Sequence, residues 1–436
     1  MKKAHPWRNL ILFLLVTCGL LHCINCFCVK TDTSRYLMLH ELHNSRDIDV
    51  LFVGSSPVYY GLDPEIIRNE TGLRAFDAAV GNVGLEGDLA LTECAFETNR
   101  PKVVVLALEP DVLLSVQESE EAEVRIMPML SPKTAVHYLS ELMNADSRFL
   151  TRLFYFRSMP ADSLRDIVKT VSIRFNPEPY IQEMNRQLTD TPYRGSGYHE
   201  MLLEPPEGGL FATRFVQPSE NAHVEFPQLT KERILRMQSL CAKNGAKLIV
   251  SILPLPAPVL VSSPIVMQTC DELEAFCAEH EISFINASRP SADWMPGLDA
   301  YFVDIYHLNV DGAAIYSRAM ARLIQHFNAG EDISVFQCRS WSEYLTENQR
   351  IFNVYATAEK TDEEVTVSAG CIAGTGVVPY YRMDCQAEDG STRVIQSWQK
   401  NNRCSFPLDR VNGPLYVRAA LDEHGSGEMY YCLTIR

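Results

Sequence analysis

The chain carries a series of short, mostly apolar runs, each closed by turn residues. Val50-Leu51-Phe52-Val53 ends in Gly54-Ser55-Ser56-Pro57, and Leu73 to Val80 ends in Gly81-Asn82-Val83-Gly84. Lys102 to Leu108 is the most continuous run, and Lys247 to Leu253 and Ile282 to Ile285 follow later. A strand with one wet face alternates apolar and polar residues, whereas a strand covered on both faces does not. These runs therefore predict buried strands of a parallel sheet. Between them the spacing is helical. A helix is expected from Pro64, because proline is favoured in the first helical turn, and another from the Gly84 turn to about Thr98. Thr230 is a candidate cap for a helix carrying Ile234, Met237 and Cys241. Two further helices run through Met267, Cys270, Leu273 and Cys277, and beyond Asn309 with Ala313, Tyr316, Met320 and Leu323 on one face. Strands alternating with helices over residues 31–330 give an α/β fold with a doubly wound parallel sheet.

Three stretches depart from this rhythm. Leu10 to Val29 is apolar apart from His22 and Asn25, close to the ~20 residues that span a bilayer. Lys2, Lys3 and Arg8 precede it. Basic flanks stay on the cytoplasmic side, so residues 1–30 read as a cytoplasmic tip and transmembrane anchor. The bulk of the chain would then lie outside the cell membrane. A cleaved signal peptide is the rival, but no Ala-x-Ala follows the run, and Thr17 before Cys18 is a poor lipobox. Residues 115–226 lack clean periodicity. They hold helix-like stretches at Thr134–Asn144 and Ala161–Arg174 and an irregular Pro205-Pro206-Glu207-Gly208-Gly209, and read as an insertion that shapes or covers a cleft. From 334 to 436, short alternating segments such as Val365-Thr366-Val367 and Tyr416-Val417-Arg418-Ala419 predict an all-β sandwich.

Composition narrows the function. A formal net charge of −16 argues against nucleic acid as a partner, since phosphate binding needs basic patches. Four of the 13 cysteines (Cys18, Cys23, Cys26, Cys28) lie in the apolar run. Cys94, Cys241, Cys270 and Cys277 fall on helices and read as small core residues. Cys338, Cys371, Cys385, Cys404 and Cys432 cluster toward the C-terminus, where an oxidising space would allow some to pair. No Cys/His spacing points to zinc, and no metal or organic cofactor is expected.

Two stretches hold candidate chemistry. In Gly54-Ser55-Ser56 a serine follows a buried strand, at the sheet edge where such folds place ligands. Helix amides beyond it can hold an oxyanion. In Asp304-Ile305-Tyr306-His307-Leu308-Asn309 a carboxylate can orient an imidazole, which can take the serine proton. The bland alternatives are an ordinary turn and a polar loop whose Asn309 caps the last helix.

Together these pieces resemble the SGNH (GDSL-like) hydrolase superfamily across residues 47–328. Gly54-Ser55-Ser56 matches the Gly-Asp-Ser block, with Ser56 at the nucleophile position. Asp304-Ile305-Tyr306-His307 matches the final Asp-x-x-His block, and Asn82-Val83-Gly84-Leu85-Glu86-Gly87 the glycine block. The resemblance implies a flavodoxin-like fold, a catalytic set of Ser56, Asp304 and His307, and an oxyanion hole from the backbone N–H groups of Ser56 and Gly84. Two positions depart. Ser55 replaces the aspartate of the first block, and Leu108-Glu109-Pro110-Asp111 stands where the third block, Gly-x-Asn-Asp, supplies an Asn donor. Asn82 is the candidate substitute. Such variants look more like the D-alanyl transfer proteins of teichoic acid modification and the alginate O-acetylation proteins. That likeness implies a serine esterase or O-acyltransferase acting on an acylated envelope glycan or other ester, beside acyl-transfer partner proteins. The alternative is a non-catalytic surface scaffold or glycan-binding protein. The C-terminal part resembles triple-tyrosine β-sandwich domains, and Tyr380, Trp398 and Tyr416 are expected in its core rather than on a sugar-stacking face. Glu109, Asp111, Arg194, His199 and His223 receive no role.

Overall fold

A computed structural model describes residues 6–28, 33–114, 126–127, 130–145, 160–205, 225–261, 263–295, 298–386, 390–410 and 413–433. The chain divides into two compact units, Met1–Met201 with Phe226–Ile249, and Leu202–Glu225 with Val250–Arg436.

The apolar runs form strands β1 (Val50–Gly54), β2 (Ala75–Ala79) and β3 (Val103–Leu108). A short pair follows, β4 (Tyr193–Gly195) and β5 (Tyr198–His199), and then β6 (Lys247–Ile252) and β7 (Ser283–Asn286). Five of these make one parallel sheet in the order β2-β1-β3-β6-β7. Every residue of β1, β2 and β3 is buried, which is why their sequences do not alternate. Counted along the chain the order is 2-1-3-4-5, so successive connections reverse direction between β1 and β3. In open α/β sheets that reversal opens a crevice at the carboxyl ends of the two strands.

Local signals set many helix ends. Asp63 caps Pro64–Thr71, accepting from Glu65 N at 2.8 Å, and Gly72 ends it with a φ of 74°. Asn309 caps Val310–Ala329 by accepting from Gly312 N at 3.0 Å. Thr230 behaves differently from expectation. The helix begins earlier, at Gln228, and the Thr230 hydroxyl instead donates to Leu113 O at 3.3 Å. Helix α1 (Pro6–Phe27) contains Trp7–Asn25, long and apolar enough to cross a membrane. Its apolar side chains face outward, with Phe13 65% exposed. Helix α2 (Thr33–Asn44) comes next. The expected middle helices are present as Pro132–Ala145 and Leu164–Phe175. His223 and most of the Pro205–Gly209 loop lie outside the described residues.

The β4–β5 hairpin covers the open edge of β2. Asp77 N donates to Ser196 O at 2.8 Å, and any side chain at Gly197 would strike Asp77 O. Pairing of this kind protects an edge strand. Beneath the hairpin Asp77 is wholly buried, and among the described residues neither of its carboxylate oxygens has a hydrogen-bond partner. Burial, and then the charge of Asp63, push its carboxyl well above the usual range.

A second buried charge is paired. Arg233 and Glu86, each 2% exposed, meet at 2.6 Å, and Arg233 also lies 4.0 Å from Glu141, which pairs in turn with Arg236. The Arg233–Glu86 pair ties Gln228–Lys243 to Leu85–Thr98.

The C-terminal strands are antiparallel and form two sheets. One orders Thr392–Gln399, Tyr380–Gln386, Leu415–Ala420 and Met429–Leu433, and the other Arg403–Pro407, Glu364–Ala373 and Ile351–Lys360. They share one buried cluster that includes Val365, Val367, Met383, Leu415 and Val417. Two short helical segments, Ile333–Phe336 and Trp341–Glu347, precede the first strand. Tyr380, Trp398 and Tyr416 are half-exposed rather than core. Alternation gives the inner face of Leu415–Ala420 to Leu415, Val417 and Ala419, and puts Tyr416 on the other side. There its ring meets Tyr430 at 5.7 Å and Arg418 stacks over both. The five C-terminal cysteines are free thiols, against the expectation that some pair.

Two measurements test the buried charges. Arg233→Met strands Glu86 and should cost about 3–5 kcal/mol in chemical unfolding. For Asp77 the folded pKa is raised, so the unfolded chain ionises first as pH climbs, and stability drains away from about pH 4 upward. Asp77→Asn should therefore raise the thermal midpoint at pH 8 far more than at pH 4.

Candidate active site

Gly54 has a φ of 156°, which aims any side chain at the neighbouring strand β3 and leaves no room for it. A Cβ there would lie 2.3 Å from Ala107 O and 2.7 Å from Val58 Cγ2. The two residues after Gly54 diverge. Ser55 is 6% exposed and donates a short hydrogen bond to the Glu109 carboxylate at the end of β3. Ser56 is half-exposed and opens α3 (Ser56–Gly61), with Pro57 in its first turn. Ser55 and Glu109, from two separate stretches of the chain, are thus bonded to each other at the strand ends. Asp111 stays exposed in the next short helix.

The turn after β2 is docked on the same place. Val80 N donates to Gly54 O at 3.1 Å. Asn82 is exposed with a φ of 58°, a left-handed conformation that asparagine tolerates better than most residues. Backbone shape accounts for this asparagine. Gly84 is half-exposed at the N-cap of Leu85–Thr98, where amides converge on the helix end. Gly81 is crowded by functional groups. A Cβ on it would lie 3.0 Å from Tyr59 Oη, 3.6 Å from Arg35 Nη2 and 3.6 Å from Ser56 Cβ. Arg35, on α2, is 8% exposed and donates to Gly81 O at 3.2 Å. Neither Arg35 nor Tyr59 was singled out from sequence, since no motif surrounds them.

The acid–base pair is built within one tight loop. His307 O accepts from Val303 N at 2.8 Å, and Asn309 N donates to Tyr301 O at 2.8 Å, which folds the loop back on itself. His307 Nδ1 lies 2.7 Å from Asp304 Oδ2, while Asp304 Oδ1 accepts from the amides of Tyr306 and His307, both at 2.8 Å. Partial burial opposes ionisation of Asp304, but the bond from His307 and the two amides outweigh it and hold the carboxyl below its usual value. A carboxylate on Nδ1 keeps the proton there and leaves Nε2 as the basic nitrogen. His307 is 20% exposed, open enough for exchange with a substrate.

Ser56 and Gly84 belong to the first unit, Asp304 and His307 to the second. The remaining candidates have structural partners. His199 is buried, its Nδ1 is 3.0 Å from Thr191 O, and the rings of Tyr59, Tyr60 and Tyr193 surround it. Arg194 pairs with Glu200 at 2.5 Å. It lines a polar cavity of about 490 Å³ in the first unit, whose walls alternate arginines with carboxylates and include neither Ser56 nor Gly84. No groups of His, Cys, Asp and Glu suited to a metal ion occur among the described residues. No protein-family model matches the chain, and no curated protein does.

The Gly54 contact makes a direct prediction. Gly54→Ala should cost about 3 kcal/mol by overpacking. Gly72→Ala, where the backbone is left-handed but the space is open, should cost about 1 kcal/mol. Urea titration of both variants measures the difference.

Proposed function

We propose that this chain is a serine esterase or O-acyltransferase of the SGNH type, acting outside the membrane on an acylated envelope glycan or a related ester. The observation that carries the reading is the Asp304–His307 pair, whose bond at Nδ1 leaves Nε2 as a base. A half-exposed serine at the carboxyl end of β1, beside the reversal in strand order, supports it.

In this mechanism Ser56 Oγ attacks the ester carbonyl carbon while His307 Nε2 takes the hydroxyl proton. The carbonyl π electrons move to the oxygen, which the amides of Ser56 and Gly84 stabilise. Collapse expels the alcohol, which receives the proton from His307, and leaves an acyl-Ser56. Water or a sugar hydroxyl, deprotonated by His307, then attacks the acyl carbon, and the bond to Ser56 Oγ breaks as His307 returns the proton to the serine. Hydrolysis and transfer share every step up to that acceptor. α1 fits an anchor with a cytoplasmic N-terminus, since Lys2, Lys3 and Arg8 precede or begin it. The two antiparallel C-terminal sheets fit an accessory β-sandwich of the triple-tyrosine type.

One observation favours a non-catalytic scaffold or glycan-binding role. Pro110 stands where the superfamily pattern has its Asn donor, and its neighbour Glu109 is an acceptor. A fluorophosphonate probe on the full chain in detergent separates the readings. Wild type should label, Ser56→Ala should not, and His307→Ala should label at least about 10²-fold more slowly. A folded wild type that resists the probe and hydrolyses no acetyl ester above the Ser56→Ala background would favour the scaffold.

A further inference from the structure

We propose that Arg35 is a catalytic residue, the donor that stabilises the oxyanion formed at Ser56 in place of the absent asparagine. The inference rests on the serine-hydrolase reading and deepens it.

An oxyanion hole works by aiming donors at the oxygen where charge develops. In this chain the position of the third donor is held by Pro110, which has neither a side-chain donor nor a backbone N–H, and the carboxylate of Glu109 beside it is engaged by Ser55. A carboxylate beside a developing oxyanion opposes it, so the site requires more than a neutral replacement donor. Asn82 is exposed, and its left-handed turn already accounts for it.

Arg35 fits both requirements, charge and place. Its guanidinium is held 3.2 Å from Gly81 O, in the turn that leads to Gly84. The space beside Gly81 is lined by Tyr59 Oη, 3.0 Å from the point where a Cβ would sit, and by Arg35 Nη2 and Ser56 Cβ, each 3.6 Å from it. No positive φ explains that glycine. Its lack of a side chain keeps guanidinium and serine facing one small gap. A guanidinium carries five N–H donors in one plane, and the bond to Gly81 O helps to orient that plane. At 8% exposure its charge is weakly screened. When Ser56 Oγ bonds to the carbonyl carbon, the electron pair moves onto the carbonyl oxygen, and Arg35 faces that charge. No proton leaves the guanidinium.

The test compares wild type, Ser56→Ala, Arg35→Met and Arg35→Gln as full chains in detergent, with 4-nitrophenyl acetate as a neutral ester. In Arg35→Met, kcat should fall about 10²-fold, with KM within about twofold of wild type. Arg35→Gln keeps an N–H for Gly81 without the charge, and should lose kcat similarly while keeping the wild-type melting temperature. It decides the matter if Arg35→Met does not fold. Unchanged kcat in a folded variant, or a rise in KM alone, would overturn the proposal, the latter marking Arg35 as a substrate-binding residue. These outcomes are distinct from failure of the hydrolase reading. In that case wild type is no faster than Ser56→Ala, and the role for Arg35 falls with it.

Discussion

The contact of β1 against β3 at Gly54 governs the rest of the site. A backbone carbonyl, Ala107 O, stands where any side chain would have to be. Because β1 and β3 are paired in register up to Gly54 and Ala107, the residues that follow them come out side by side. Ser55 reaches Glu109 across the strand ends, Val80 hangs from Gly54 O, and Ser56 is turned out at the start of a helix. Close-packed interiors transmit such constraints because they have few voids to absorb a displacement. The reversal of strand order at the same two strands opens the crevice there.

Buried charge is the second organising theme, and its treatment varies with position. Arg233 is matched by Glu86, Arg289 by Glu274 and Asp271, and Asp384 by Arg382 and Arg418. Pairs of this kind add little net stability, because desolvation consumes most of the attraction, but breaking one is expensive. They hold helix to helix and strand to strand in a definite arrangement. Asp77 has no such match among the described residues. Arg35 is buried beside the candidate nucleophile. The overall charge of −16 gives no hint of these internal cations.

Features local to the chain were legible in sequence. Continuous apolar runs marked β1 and β3, Pro64 and Gly72 bounded a helix, and Asn309 capped another. Asp304 and His307 sit three residues apart in one loop, so their pairing needed little beyond the loop itself. Where a residue had two local uses, the pattern misled. Thr230 can cap a helix or bond elsewhere, and Leu113 O, 117 residues away, takes its hydroxyl. Tyr380 and Tyr416 have the strand spacing of a core, but the pleat gives the inner face to Tyr381 and to Leu415 and Val417.

By itself, then, the sequence determined the strands, the apolar first helix and the two stretches of candidate chemistry, since periodicity and turn chemistry act over a few residues. Only the tertiary structure decided what surrounds Ser56. Glu109 lies 54 residues from Ser55, and Arg35 lies 46 residues from Gly81. No spacing rule links residues so far apart. Each becomes a neighbour of the serine only because strands pack to van der Waals contact and bring their ends together.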